Sequence, residues 1–133
     1  TQFLSKREGY KENPIDYIYN AINDMITKSK ATGIEFVVSR LVFSQKELNF
    51  AKIKESIQKI KSILQGTDIL IHNNYNEAII LFPATPKEEV DTLITGFIPN
   101  ISHMTVNYSS VNYPKDGDTV DALFSKLYKE GVR

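Results

Sequence analysis

The chain has 133 residues, 41% hydrophobic, 24% charged and 11% aromatic, with 16 basic and 16 acidic side chains in balance. This fits one globular domain of ordinary size and excludes the disordered and collagen-like classes. Net neutrality argues against a nucleic-acid binder, which needs a basic stripe. The absence of cysteine removes disulfides, thiol catalysis and zinc–thiolate sites, and agrees with a reducing compartment.

Residues 1–13 are polar and mixed and read as a linker or lead-in, and residues 14–133 as one domain. Asn13 and Pro14 form a helix start, a capping side chain followed by proline at the first helical position. Ile15, Ile18, Ile22 and Met25 recur at three- and four-residue steps, and Gly33 follows the end of that helix. Residues 34–43 are short and rich in Val, Ile, Leu and Phe, which predicts a buried central strand. Ser44 and Glu47 form a capping box ahead of a long helix with Phe50, Ile53, Ile57, Ile60 and Leu64 on one stripe, closed by Gly66. Its lysines, Lys46, Lys52, Lys54, Lys59 and Lys61, are interleaved with Glu47 and Glu55 and read as a solvated face.

Residues 68–72 and 77–82 are two apolar runs joined by the asparagine-rich turn Asn73, Asn74, Tyr75 and Asn76, the pattern of a β-hairpin. Thr85, Pro86 and Glu88 start another helix with Val90, Leu93 and Phe97 inward, which Pro99 and Asn100 are expected to break. Residues 104–113 favour a strand. Pro114 to Asp118 form a turn, and Val120, Leu123, Phe124 and Leu127 mark a final helix. The order α, βαββαβ, α predicts an α/β (α+β) domain of ferredoxin-like type, a mixed sheet with covering helices on at least one face. That architecture hosts many functions and does not choose among them.

Residues 67–83 read TDILIHNNYNEAIILFP. They resemble, without a gap, the stretch of GGDEF (diguanylate cyclase) domains that runs SDvvaRyGGDEFavlLP. Residues 104–117, MTVNYSSVNYPKDG, are similar to the family's vTvSiGvasyPeDG. The resemblance implies a nucleotide-cyclase fold, and its motif positions can be followed one by one. Two carboxylates in the family hold magnesium on the GTP triphosphate, since hard cations need charged oxygen ligands. Their places are taken by Ser39 and Asn76. The two glycines that let backbone approach the nucleotide are replaced by Asn74 and Tyr75. Glu77 keeps the fourth letter of the motif, and Ala78 stands at the fifth. The family's guanine-reading loop after the first strand is shortened, leaving only Phe43 recognisable. At the inhibitory cyclic di-GMP site, an RxxD motif, Asp68 remains but Gln65 replaces the arginine.

These departures imply a degenerate domain with no catalytic residues, no metal and no cofactor. It would be a regulatory part of a cyclic-dinucleotide signalling protein, binding a protein partner or a second copy of itself, and nucleotide or cyclic di-GMP at most weakly. The competing reading is an atypical cyclase or a cyclic di-GMP receptor with a non-standard site. Glu77, a lone carboxylate at a hairpin edge, is expected to be solvent-exposed rather than a metal ligand. Asp68, opening a strand, is expected to bond nearby backbone amides. His72 and His103 lack metal-ligand spacing and read as structural. Tyr75 at the hairpin tip is a candidate interface residue, and Tyr10, Tyr17 and Tyr19 are expected to pack on the sheet or on a partner. No signal peptide and no apolar run of about 20 residues is present. A cytoplasmic location is expected, with any membrane attachment supplied by other parts of a longer parent protein.

Overall fold

The computed structural model describes residues 14–44, 50–73, 76–101 and 105–129. The elements follow one another as α1 (Pro14–Thr32), β1 (Phe36–Ser44), α2 (Phe50–Ile63), β2 (Ile69–Asn73), β3 (Glu77–Phe82), α3 (Lys87–Ile101), β4 (Thr105–Tyr113) and α4 (Val120–Lys129). Every element expected from periodicity is present, with ends shifted by a few residues. Ser44 belongs to β1, while the capping-box Glu47 lies outside the described residues, as do Tyr10 and His103.

The four strands lie in the order β2-β3-β1-β4. All three neighbouring pairs are antiparallel, which corrects the expected mixed sheet. The two βαβ crossovers do return the chain parallel to its starting strand, but each lands one place too far to pair with it. β3 fills the gap between β1 and β2, and β1 fills the gap between β3 and β4, each running the opposite way.

Both faces of the sheet are covered. Val37, Leu41 and Phe43 of β1 and Ile80 and Phe82 of β3 pack with Ile53, Ile57 and Ile60 of α2 and Val90 and Ile94 of α3. The alternate residues Phe36 and Val38, Ile79 and Leu81, and Val111 and Tyr113 pack with Ile18, Ile22 and Ile26 of α1 and Val120, Leu123 and Leu127 of α4. Burial on both faces explains why β1 and β3 read as continuous apolar runs rather than alternating ones.

Two helices depart from expectation. The buried stripe of α1 is Ile18, Ile22, Ile26 and Ser29, with Ile15 exposed at its first turn. Helix α3 continues through Pro99 to Ile101. Proline there disturbs only the preceding turn of a helix about to end, and Phe97 and Ile98 pack against the core and hold that turn in place. No described helix is long and apolar enough to cross a membrane.

The turn after β4 is built by Asp116, whose carboxylate accepts the Asn112 N–H at 2.8 Å and the Lys126 ammonium at 2.9 Å. Gly117 is required by close approach, because a Cβ there would stand 2.9 Å from the Ala122 methyl at the start of α4. The sequence Tyr-Pro-Lys-Asp-Gly is thus a device for docking the last helix.

Candidate functional site

The end of β1 meets the end of the β2–β3 hairpin. Phe43 donates its N–H to the Asn76 carbonyl at 2.8 Å. The Asn76 side-chain amide donates back to the Phe43 carbonyl at 3.0 Å. Asn76 therefore closes the β1–β3 ladder with a donor, which a carboxylate at this position lacks. Replacing Asn76 by Asp is expected to cost about 1–2 kcal/mol in urea unfolding at neutral pH, and no loss would mean that the amide bond is dispensable.

Next to it, Glu77 is buried, at 3% exposure, contrary to the expected solvent-exposed carboxylate. Register decides this. Glu77 shares the α1/α4 face of the sheet with Arg40, whose Nε donates to Glu77 Oε2. Asn73 Nδ2 and the Tyr128 hydroxyl both donate to Glu77 Oε1, at 2.5 and 3.3 Å. The Tyr128 ring also covers the Arg40 guanidinium at 4.0 Å, a cation–π contact strengthened by desolvation. Four residues from β1, β2, β3 and α4 thus form one closed polar knot, in which Arg40 Nη1 alone is buried without a hydrogen bond.

Burial and then the Glu77 charge push the Tyr128 hydroxyl up to about 12. A raised folded value favours the neutral phenol, so its stabilisation is complete below the ordinary value of 10.0. It is lost as pH rises through about 12. Urea midpoints are expected to fall across that window, and Tyr128→Phe is expected to flatten the fall by about one proton's worth of slope. An unchanged slope would show the hydroxyl to be solvated.

On the opposite face of β1, Ser39 is fully buried and paired in register with Ile80 and Ser110. Its hydroxyl faces Tyr108 without a hydrogen bond of normal geometry. Tyr108 donates to Asp91 Oδ1, joined by the Ser110 hydroxyl at 3.2 Å, and Lys87 Nζ holds Asp91 Oδ2 at 2.9 Å. Burial works to raise the Asp91 carboxyl, but the bonds from Tyr108, Lys87 and Ser110 outweigh it and leave Asp91 below the usual carboxylate range. Burial and the bond to Asp91 push the Tyr108 phenol strongly up.

Gln65 and Asp68 do meet, through backbone. Asp68 Oδ2 accepts the Gln65 N–H at 3.0 Å, and the Asp68 N–H donates to the Gln65 carbonyl at 3.0 Å. The acid is engaged in its own turn, as expected for a residue opening a strand. His72 stacks on Phe50 with ring centroids 6.1 Å apart. Asn74 and Tyr75 lie outside the described residues. Tyr17 and Tyr19 are both partly exposed on α1, and Tyr19 reaches α4, donating to Asp121 at 3.0 Å.

No protein-family model matches the chain, and no curated protein does. Solved structures do. The GGDEF domain of YfiN (TpbB) from Pseudomonas aeruginosa superposes with a TM-score of 0.72 at 12% identity, over 86% of this chain and 84% of that one. A DGC protein from Thermotoga maritima gives 0.70 at 11% identity, over 88% and 93%. The GGDEF domain of DgcB from Caulobacter crescentus, solved in complex with c-di-GMP, gives 0.68 at 10% identity, over 97% and 91%. The chain has the GGDEF fold.

Among the described residues, the two positions in question offer a magnesium ion no charged oxygen. At the two positions where the resemblance expects carboxylates, Ser39 is sealed in the core and Asn76 points an N–H donor at the strand end. The nearby acid, Glu77, already accepts bonds from Arg40, Asn73 and Tyr128. Among the described residues no group of three or more His, Asp or Glu side chains is placed to hold a metal. Sequence reading missed Arg40, Tyr128 and Asp91. A signal for the first was available, since Arg40 and Glu77 are the lone charges in two apolar strands, and buried charges need partners.

Proposed function

We propose that this GGDEF-fold domain is a non-catalytic module of a cyclic-dinucleotide signalling protein, acting by binding in the cytoplasm. The observation that carries the reading is the Asn76 amide bond to the Phe43 carbonyl. It places a strand clasp where the resemblance expects a charged ligand, and a buried Ser39 stands where the resemblance expects the other. Without a held cation, negative charge developing on a transferring phosphoryl group goes unneutralised. Binding would instead shift a conformational or assembly equilibrium in proportion to its preference for one state.

The competing reading, a cyclic di-GMP receptor with a non-standard site, draws support from DgcB having been solved with that ligand. Incubating the chain with GTP and magnesium, and titrating it calorimetrically with GTP and cyclic di-GMP, separates the two. The expected result is no cyclic di-GMP formed and no saturable heat at micromolar concentrations. Micromolar binding of cyclic di-GMP favours the receptor, and product formation overturns the non-catalytic reading outright.

A further inference from the structure

Among the described residues β4 is an edge strand, and its outward backbone groups can be identified. Phe43 bonds to Asn76 across the β1–β3 ladder, so odd-numbered residues of β1 turn their backbone groups to β3 and even-numbered ones to β4. Through the register of β1 with β4, the odd residues of β4 face β1 and the even ones face outward. Asn112 agrees: its N–H donates to Asp116 Oδ2 at 2.8 Å, and its carbonyl accepts the Asp116 N–H at 2.7 Å, both outside the sheet. The next outward residues are Ser110, Tyr108 and Val106, whose backbone groups line an edge with no strand beside it among the described residues.

Soluble proteins blunt such an edge with charges, proline, a bulge or a covering segment. The nine residues of β4, TVNYSSVNY, contain no charge, no proline and no glycine. They are paired residue for residue with β1 and so carry no bulge. Helices α3 and α4 pack on the faces of the sheet. Their contacts fix the strand, since Tyr108 and Ser110 are tied to Asp91 and Ser109 Oγ donates to the Leu127 carbonyl at 3.1 Å.

We infer that β4 pairs with β4 of a second copy of this chain, antiparallel about a two-fold axis through Tyr108, joining two sheets into one of eight strands. The strand is complementary to itself in this register. Val106 stands opposite Ser110 of the second copy and Tyr108 opposite Tyr108, so every outward N–H meets a carbonyl, about six bonds in all. On the other face Asn107 meets Ser109 and Thr105 meets Val111, pairings that bring no like charges together. The whole chain has zero formal net charge, so two copies approach without long-range repulsion. The inference concerns this edge alone and does not depend on whether a nucleotide binds.

Sedimentation of the 133-residue chain over a concentration series tests it, with amide exchange measured at both ends of the series. The mass is expected to rise from 15.1 kDa toward twice that value, while the amides of Val106, Tyr108 and Ser110 exchange more slowly in the dimer. Val106→Pro deletes an outward donor where an edge strand tolerates proline, and is expected to weaken pairing about tenfold or more. Asn107→Lys, at an exposed position, adds an edge charge and is expected to weaken it too; it decides the matter if the proline variant misfolds. A chain that stays at 15.1 kDa throughout overturns the inference, including the case in which the edge takes only an extended peptide of another protein. So does a dimer whose three amides are unprotected, or one that pairs equally well with the lysine.

Discussion

Glu77→Gln is expected to lower the unfolding free energy by about 3 kcal/mol or more, because it leaves the Arg40 guanidinium buried without its counter-charge. The two side chains are only 11% and 4% exposed, so water cannot take the place of the missing carboxylate. Removing both charges together tells a different story. The double variant Arg40→Met, Glu77→Leu is expected to recover most of the loss, since a buried ion pair contributes little beyond an apolar pair of similar volume. Urea denaturation of the two single variants and the double variant closes the cycle. A single-variant loss below about 1 kcal/mol would place the pair in the class of solvated surface bridges. This experiment bears on function as well as stability. In this chain the acid of the hairpin ties β3 to β1 and α4, so freeing it for a ligand would mean dismantling part of the core.

Ser39→Asp, which places an acid where the resemblance expects the first magnesium ligand, is expected to destabilise the domain by about 3 kcal/mol or more at neutral pH. The new carboxylate would be sealed from water next to the Tyr108 hydroxyl, which already donates to Asp91. Burial favours the neutral form of the new group, so part of the loss should return on acidification as it takes a proton. Ser39→Ala is the control. Its hydroxyl makes no hydrogen bond of normal geometry, so its removal is expected to be neutral within about 0.5 kcal/mol. If Ser39→Asp proved as stable as the parent and gained a magnesium-dependent melting shift, the position would be open and the non-catalytic reading would lose one of its two supports.

Legibility differed from place to place along the chain. All eight elements were readable from periodicity and caps, because a stripe such as Ile53, Ile57 and Ile60 needs only local geometry to declare a helix. Asp68 bonding its own turn was readable for the same reason, its partner being three residues away. The neighbourhood of Ser39 and Asn76 was half legible. That Ser39 and Asn76 carry no charge is chemistry visible in the letters, whereas the Asn76 clasp on Phe43 spans 33 residues and required the register.

Local composition, then, dictated which segments became helices and strands and which positions carry no charge, since those properties belong to single residues and their near neighbours. Strand direction, the burial of Glu77 and the open edge at β4 were decided only on assembly. Arg40 and Glu77 stand 37 residues apart in the chain, and which face each takes depends on a period-two register that a shift of one residue would invert.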